Sequence, residues 1–418
     1  MKSQMVKRVF GSIALVALIT GSGAANVAEA RVKLLWTTCC DQVDRHDLFQ
    51  QWARRFEERN PDIEIEWNYP GSGYGQKILT MLAAGVPPDV IWIGIDFWRM
   101  YEAALPMDRL AERDENLRGI FPLAKELYTW QGILGAAPYG VNTTVYYYNK
   151  HHFDESGLPY PDDDWTWDDL IDVSRRLVRR DGSGAISRYA LKLPSVTAIM
   201  VYGAPFFSED GRRTLINNPA TIAALQYYAD VMSPGMEIHS PYSTTGVVEL
   251  IGGQISMFSD GVHRVPNLRD QMIDDWDVIG HPYVEVESGR YRSAFVSAEA
   301  WMIPATTPHP EEALRFVEFL LEPEQMIEFT RLGGIIPAQA DMAREYFLGS
   351  PPPPENMVAF VQAMDYSYRM HQFHPRGADA WSMIQGEINK VIRGQAAAEA
   401  AVPMMAEMID SMLSQWTP

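Results

Sequence analysis

From residue 32 the chain alternates short apolar strands with amphipathic helices, and that order leaves few folds open. Residues 32–36 read as an apolar-rich strand. Leu48, Phe49, Trp52, Ala53 and Phe56 then recur at helical spacing and share one face. Pro61 ends that segment, and Ile63, Ile65 and Trp67 alternate with Glu64 and Glu66 as a second strand. Residues 76–84 read as a helix with Ile78, Leu79 and Leu82 inward. Gly85 suits its C-terminal cap, and Pro87-Pro88 bars continuation. Residues 90–93 form an unbroken apolar run, as a strand covered on both faces requires. Three strands joined by two right-handed helical crossovers make a parallel sheet, so the fold class is α/β.

That topology locates a site. In open parallel sheets ligands bind beyond the carboxyl ends of the strands. The loops there are 37–41, 70–74 and 94–98, carrying small hydroxyls, glycines, Asp41, Tyr74, Asp96, Phe97 and Trp98. Aromatic faces beside carboxylates suit a polyhydroxylated ring, whose apolar face stacks while its hydroxyls donate. Each such aromatic could equally belong to the core.

At 418 residues the chain exceeds what one hydrophobic core usually holds, so two lobes are expected. A net charge of -19 argues against a nucleic-acid partner, which demands a basic face, and against docking on anionic lipid. Lys2, Lys7 and Arg8, an apolar run over 11–19 and Ala28-Glu29-Ala30 read as a secretory signal peptide over residues 1–30, cleaved after about Ala30. Its removal makes the chain more acidic still. The two cysteines, Cys39 and Cys40, are adjacent, which excludes a disulfide scaffold and a cysteine-based zinc site.

Further on, 166–180 reads as a helix capped by Thr166 or an Asp, 221–231 and 310–321 as helices, and 351–354 as a stiff proline connector. Residues 395–413 read as helical on either side of a kink at Pro403. The nucleophile elbow, the His-Glu-x-x-His zinc motif and the phosphate and dinucleotide loops are all missing, so no catalytic residue, metal site or cofactor is expected. A pair of distant carboxylates acting on a glycoside stays open as a reading.

Seven blocks, in order, carry a resemblance. They are 56–65 (FEERNPDIEI), 82–92 (LAAGVPPDVIW), 135–150 (GAAPYGVNTTVYYYNK), 165–170 (WTWDDL), 253–261 (GQISMFSDG), 309–320 (HPEEALRFVEFL) and 333–337 (GGIIP). Together they resemble the extracellular solute-binding proteins of ABC importers, in the large family that carries sugars and glycosides. The resemblance covers most of the mature chain. It implies a two-lobed periplasmic-binding-protein fold, with the lobes joined by hinge strands and a ligand cleft between. Lobe 1 would span 31–141 with 304–349, and lobe 2 145–300 with 354–418. The hinges would lie near 141–145, 300–304 and 349–354. The implied function is capture of a sugar or glycoside and delivery to the permease's transmembrane subunits, by a periplasmic monomer without enzymatic activity. The alternative is a binder of an anionic solute, such as a sulfonated sugar or glycerophosphodiester, or else an exported carbohydrate-active enzyme.

Carried over by position, the ligand contacts of the first lobe would be Thr38, Asp41, Tyr74, Asp96 and Trp98, with Asn142 at the hinge. The second lobe would offer Tyr202, Asp260, Glu299, Trp301 and His374. Glu299 departs from the paired glycines common in the family there. Arg264 and Arg376 are the candidate cations for an acidic ligand, against the plainer reading of surface salt bridges. Cys39 and Cys40 join the site at the cleft mouth. Adjacent Cα atoms lie about 3.8 Å apart, below the usual disulfide span, so either a strained vicinal disulfide or two thiols is open.

Overall fold

The computed structural model describes residues 31–39 and 43–416. The signal-peptide expectation, Cys40 and Asp41 lie outside the described residues. The first five elements follow the sequence pattern: β1 (Val32–Thr37), α1 (Val43–Arg59), β2 (Ile63–Asn68), α2 (Tyr74–Ala83) and β3 (Val90–Ile93). β1 pairs in parallel with both β2 and β3, giving the spatial order β2-β1-β3. Gly85 takes φ +72 just past α2, a left-handed cap that only glycine adopts without strain. Trp36 of β1 packs edge-on against Phe49, Trp301 and Phe316, a fully buried aromatic centre.

The strand Val296–Met302 runs antiparallel beside β3, and beyond it lies the 13-residue strand Ala137–Asn149. That long strand changes partners midway. Residues up to Thr143 pair with Val296–Met302; from Thr144 onward they pair with Ile255–Gly261, and Tyr146 to Asn149 also pair with Trp276–Ile279. Ile186–Lys192 then extends the sheet in parallel beside Ile255–Gly261. One strand thus belongs to two sheet halves, the backbone expression of two lobes.

Between Glu299 and Ala300 the register with the long strand slips: Glu299 faces Gly140 and Ala300 faces Pro138. Tyr139 is the extra residue of this β-bulge. Pro138 has no N–H to give the ladder, so the irregularity suits it. Gly140 is required, because a Cβ there would stand 2.0 Å from Cδ1 of Ile335.

Helices cover both halves. α1 packs against Pro310–Leu320 and Pro323–Arg331, with Phe56 and Phe316 at 4.8 Å. On the other half Gly377–Ile392, Ala398–Ser414 and Pro219–Met232 pack together. Trp167–Leu177 begins at a full capping box between Thr166 and Asp169 and stops three residues short of expectation, because Arg179 and Arg180 enter a strand. Pro403 sits inside one helix, Ala398–Ser414, rather than between two.

Candidate functional site

The partner change in the long strand and the bulge beside it bring polar groups from distant segments to one seam. Tyr139 donates its hydroxyl hydrogen to Oε2 of Glu299 at 2.5 Å. The indole N–H of Trp92, on β3, reaches the same oxygen at 3.2 Å and the Tyr139 hydroxyl at 2.8 Å. Two neutral donors therefore hold one carboxylate oxygen. No hydrogen bond to Oε1 occurs among the described residues. Tyr139 itself is fixed by stacking on Trp301 at 4.8 Å and 16°. Burial, and then the charge of Glu299, push the Tyr139 hydroxyl pKa well up, so it stays a donor.

Across the seam, Asn142 accepts from the Val262 N–H at 3.0 Å, and its amide lies 3.3 Å from Nδ1 of His263. Asp260 holds Nε of Arg264 at 2.7 Å and Nε2 of His263 at 3.5 Å. Burial pushes the imidazole below its ordinary pKa, against the pull of Asp260. Glu299 and Arg45 also act on His263 electrostatically, so residues from both sheet halves face one another here. Gly261 must lack a side chain: a Cβ would meet Asn142 Oδ1 at 2.4 Å and His263 Nδ1 at 2.7 Å.

Arg45, near the start of α1, completes the seam. It is 5% exposed, and its Cζ lies 4.8 Å from the Phe329 ring centroid. Its Nη2 sits 3.6 Å from where a Cβ on Gly334 would stand; that position is 3.3 Å from Cα of His263.

The strand-end loops line one border. The Tyr74 hydroxyl donates to the Trp92 carbonyl at 2.9 Å and lies 3.2 Å from Thr37 Oγ1, and Thr38 Oγ1 accepts from Trp67. Asp96 is half-buried and pairs with Arg99 at 3.4 Å. It lies close over Gly75, where a Cβ would meet its Oδ2 at 2.3 Å. Cys39 is buried and disulfide-bonded.

With this geometry in hand, comparison with known proteins is informative. The family model for "Bacterial extracellular solute-binding protein" matches residues 43–327. The chain belongs to this family. It is similar to a lactose-binding protein of Rhizobium radiobacter, 22% identical over 325 residues and 75% of each chain. It is similar to a maltotriose-binding protein of Pyrococcus abyssi, 22% identical over 358 residues, 84% of this chain and 76% of the relative. Among solved structures, it resembles a cyclic alpha-maltosyl-1,6-maltose binding protein of Arthrobacter globiformis (TM-score 0.76, 18% identity, 93% and 100% of the two chains). It also resembles an ABC substrate-binding protein of Listeria monocytogenes in complex with cycloalternan (TM-score 0.73, 20% identity, 92% and 99%). The fold is two-lobed.

Within that frame the expected ligand residues separate. Asn142, Asp260, Arg264 and Glu299 gather at the seam, and Thr38, Cys39, Tyr74 and Asp96 lie at the carboxyl ends of the first strands. Three aromatics turn inward instead. Trp98 is 3% exposed, wedged among Phe97, Tyr101 and Trp130, and its N–H is given to the Leu127 carbonyl. Tyr202 is fully buried and bonds to Pro282 and Trp167. Trp301 is the shelf under Tyr139. His374 is buried against Trp130 and the Gly211 carbonyl. Neither candidate cation is uncommitted, since Arg264 pairs with Asp260 and Arg376 with Asp379 at 2.6 Å. Sequence reasoning missed Arg45, Trp92, Tyr139 and His263. The proline-tyrosine-glycine step at 138–140, unusual inside a strand, is the signal that points to Tyr139.

Proposed function

We propose that this protein captures a neutral or acidic sugar, or a glycoside, in the interlobe cleft and delivers it to the transmembrane subunits of an ABC permease. One observation carries the reading: both sheet halves present polar groups to one seam, Glu299, Trp92, Tyr139 and Asn142 from one side and His263 and Asp260 from the other. Planar amide, imidazole and carboxylate groups beside indole and phenol rings match the alternating hydroxyls and apolar face of a pyranose. The sugar-binding relatives named above support the same class.

A ligand spanning the seam contacts both lobes only when they close, so its binding energy biases the hinge toward closure. The partner change at Thr143 and Thr144 supports a hinge within 141–145. For the return we favour residues 294–296, where Thr144 and Phe295 exchange hydrogen bonds, over the 300–304 expected from sequence. The lobes at 31–141 with 304–349 and 145–300 with 354–418 shift accordingly. We read the chain as exported to the periplasm, its signal peptide cleaved after about Ala30, and as a monomer that binds without turnover.

A thermal-shift screen across mono- and oligosaccharides tests this reading, because a ligand selective for the native state raises its midpoint by mass action. Stabilisation by a sugar, with the sugar recovered unchanged after long incubation, is expected. A screen in which no sugar raises the midpoint, or one in which the sugar is cleaved, overturns it.

A further inference from the structure

Arg45 differs from the other cation at the seam. Arg264 spends its charge on Asp260. Arg45 makes no hydrogen bond and no ion pair among the described residues, and its Nε is buried without a partner. Among the described residues its close contact is the face of Phe329 at 4.8 Å. A guanidinium removed from water and left unpaired is costly, and such a group persists where an incoming partner supplies its acceptors.

The nearby carboxylates are already engaged. Asp260 faces Arg264 and His263, and Oε2 of Glu299 takes the hydrogens of Tyr139 and Trp92. Glu299 forms no ion pair with Arg45. Among the described residues the seam therefore holds a guanidinium, Arg45, whose buried Nε has no partner, and a carboxylate oxygen, Oε1 of Glu299, that accepts no hydrogen bond from the protein. A ligand that answers both has an anionic acceptor at one end and hydroxyl donors at the other. Guanidinium forks match planar carboxylates by two parallel hydrogen bonds.

The geometry points to Arg45 as the receptor for a carboxylate on the transported sugar, which makes the solute a uronic or aldonic acid or a glycoside ending in one. This rests on the sugar-capture reading and narrows it. Glu299 sets the orientation: it repels the carboxylate from its own side and accepts the ring hydroxyls, so the acid group faces α1.

Isothermal titration of the mature protein with D-galacturonate and D-glucuronate, beside D-galactose and D-glucose, tests the inference. Each acid is expected to bind about ten-fold or more tightly than its neutral counterpart, the scale of a charge-assisted hydrogen bond. Arg45→Gln should erase that preference, and Arg45→Lys should keep part of it, as the charge stays but the fork is lost. Ligand-free Arg45→Gln should melt no lower than wild type, because the substitution removes an unpaired charge. If Arg45→Gln does not fold, Arg45→Lys carries the comparison alone. Neutral sugars binding as tightly as their acids would overturn the carboxylate assignment while leaving sugar capture intact. So would equal weakening of acid and neutral sugar by either variant. Binding of none of the four would overturn the carboxylate assignment, and only a thermal screen in which no sugar stabilises the protein would sink sugar capture as well.

Discussion

Tyr139 gives its hydroxyl hydrogen to Glu299 at 2.5 Å, and it can do so because the bulge makes Tyr139 the one residue of its strand without a ladder partner opposite. The bulge aims a phenol at a carboxylate that the indole of Trp92 also holds. Irregular pairing here positions the group that we propose meets the ligand.

Removing that hydroxyl isolates its contribution. Tyr139→Phe keeps the ring stacked on Trp301 but leaves Glu299 with a single fixed donor. We expect ligand affinity to fall by about 1–2 kcal/mol, the usual cost of losing a hydrogen bond to a charged group, with the melting midpoint little changed. Titration calorimetry with whichever sugar the thermal screen identifies checks this. Unaltered affinity would remove Glu299 from the site.

Five histidines, three buried and two half-buried, make stability depend on pH. Burial lowers His152, His239, His371 and His374 to a pKa of about 4 and His281 to about 3. In the unfolded chain each titrates near 6.5. Below that value the unfolded state binds more protons than the native state, so stability is complete above pH 6.5. It is lost as pH falls toward the folded values, at about 1.4 kcal/mol per unit for each histidine. His281, bonded to Thr144 and Ser259, is the cleanest test. Urea unfolding of His281→Asn and wild type at pH 7 and pH 5 should show the variant's slope shallower by about one proton's worth. Parallel slopes would mean that His281 is protonated in the native state.

A buried ion pair braces the second lobe. Glu249 has no exposed surface; Lys192 reaches its Oε1 at 2.5 Å and Thr244 donates to the same oxygen at 2.7 Å. Burial alone would raise the Glu249 carboxyl, but these donors outweigh it and hold the group below its ordinary range. Glu249→Ala leaves Lys192 among carbonyls without its counter-charge. A loss of about 3–5 kcal/mol in denaturant unfolding is expected. A loss under about 1 kcal/mol would show that water compensates the lysine.

Legibility followed distance along the chain. β1 to β3 and their helices were readable because strand and helix periodicities are local, and the strand-end loops followed from sheet topology, which gave Thr38, Tyr74 and Asp96. The cleft itself was not local. Tyr139 and Glu299 are 160 residues apart, and Trp92 and Glu299 are 207 apart, so no window shows both partners. Trp98 was misplaced because an aromatic just past a strand can face the ligand or the core. The outcome turned on Trp130 and Tyr101, which fill the space on its inner side. Arg45 hid in α1 among other arginines, and only its lack of a partner distinguishes it from Arg55, which pairs with Glu324 and Glu328.

A second set of contacts joins segments that the expected lobe division places in different lobes. Arg369 pairs with Glu126 at 2.9 Å. Trp130 meets His374 edge-on at 5.3 Å and Trp416 at 5.9 Å, and lies over Gly211, where a Cβ would come within 2.9 Å of its ring. We propose that these contacts favour a closed arrangement before any ligand arrives. A binding-competent state that is less populated lowers the apparent affinity by the same fraction. Trp130→Ala, which touches none of Arg45, Glu299, Asn142 or His263, should therefore weaken binding by about three- to ten-fold. The ligand-free protein should show a larger radius of gyration in solution scattering. Ligand added at saturation should restore the wild-type radius, because ligand energy can still close the lobes. An unchanged radius together with unchanged affinity would show that Trp130 only packs, and that closure is set by the hinge strands alone.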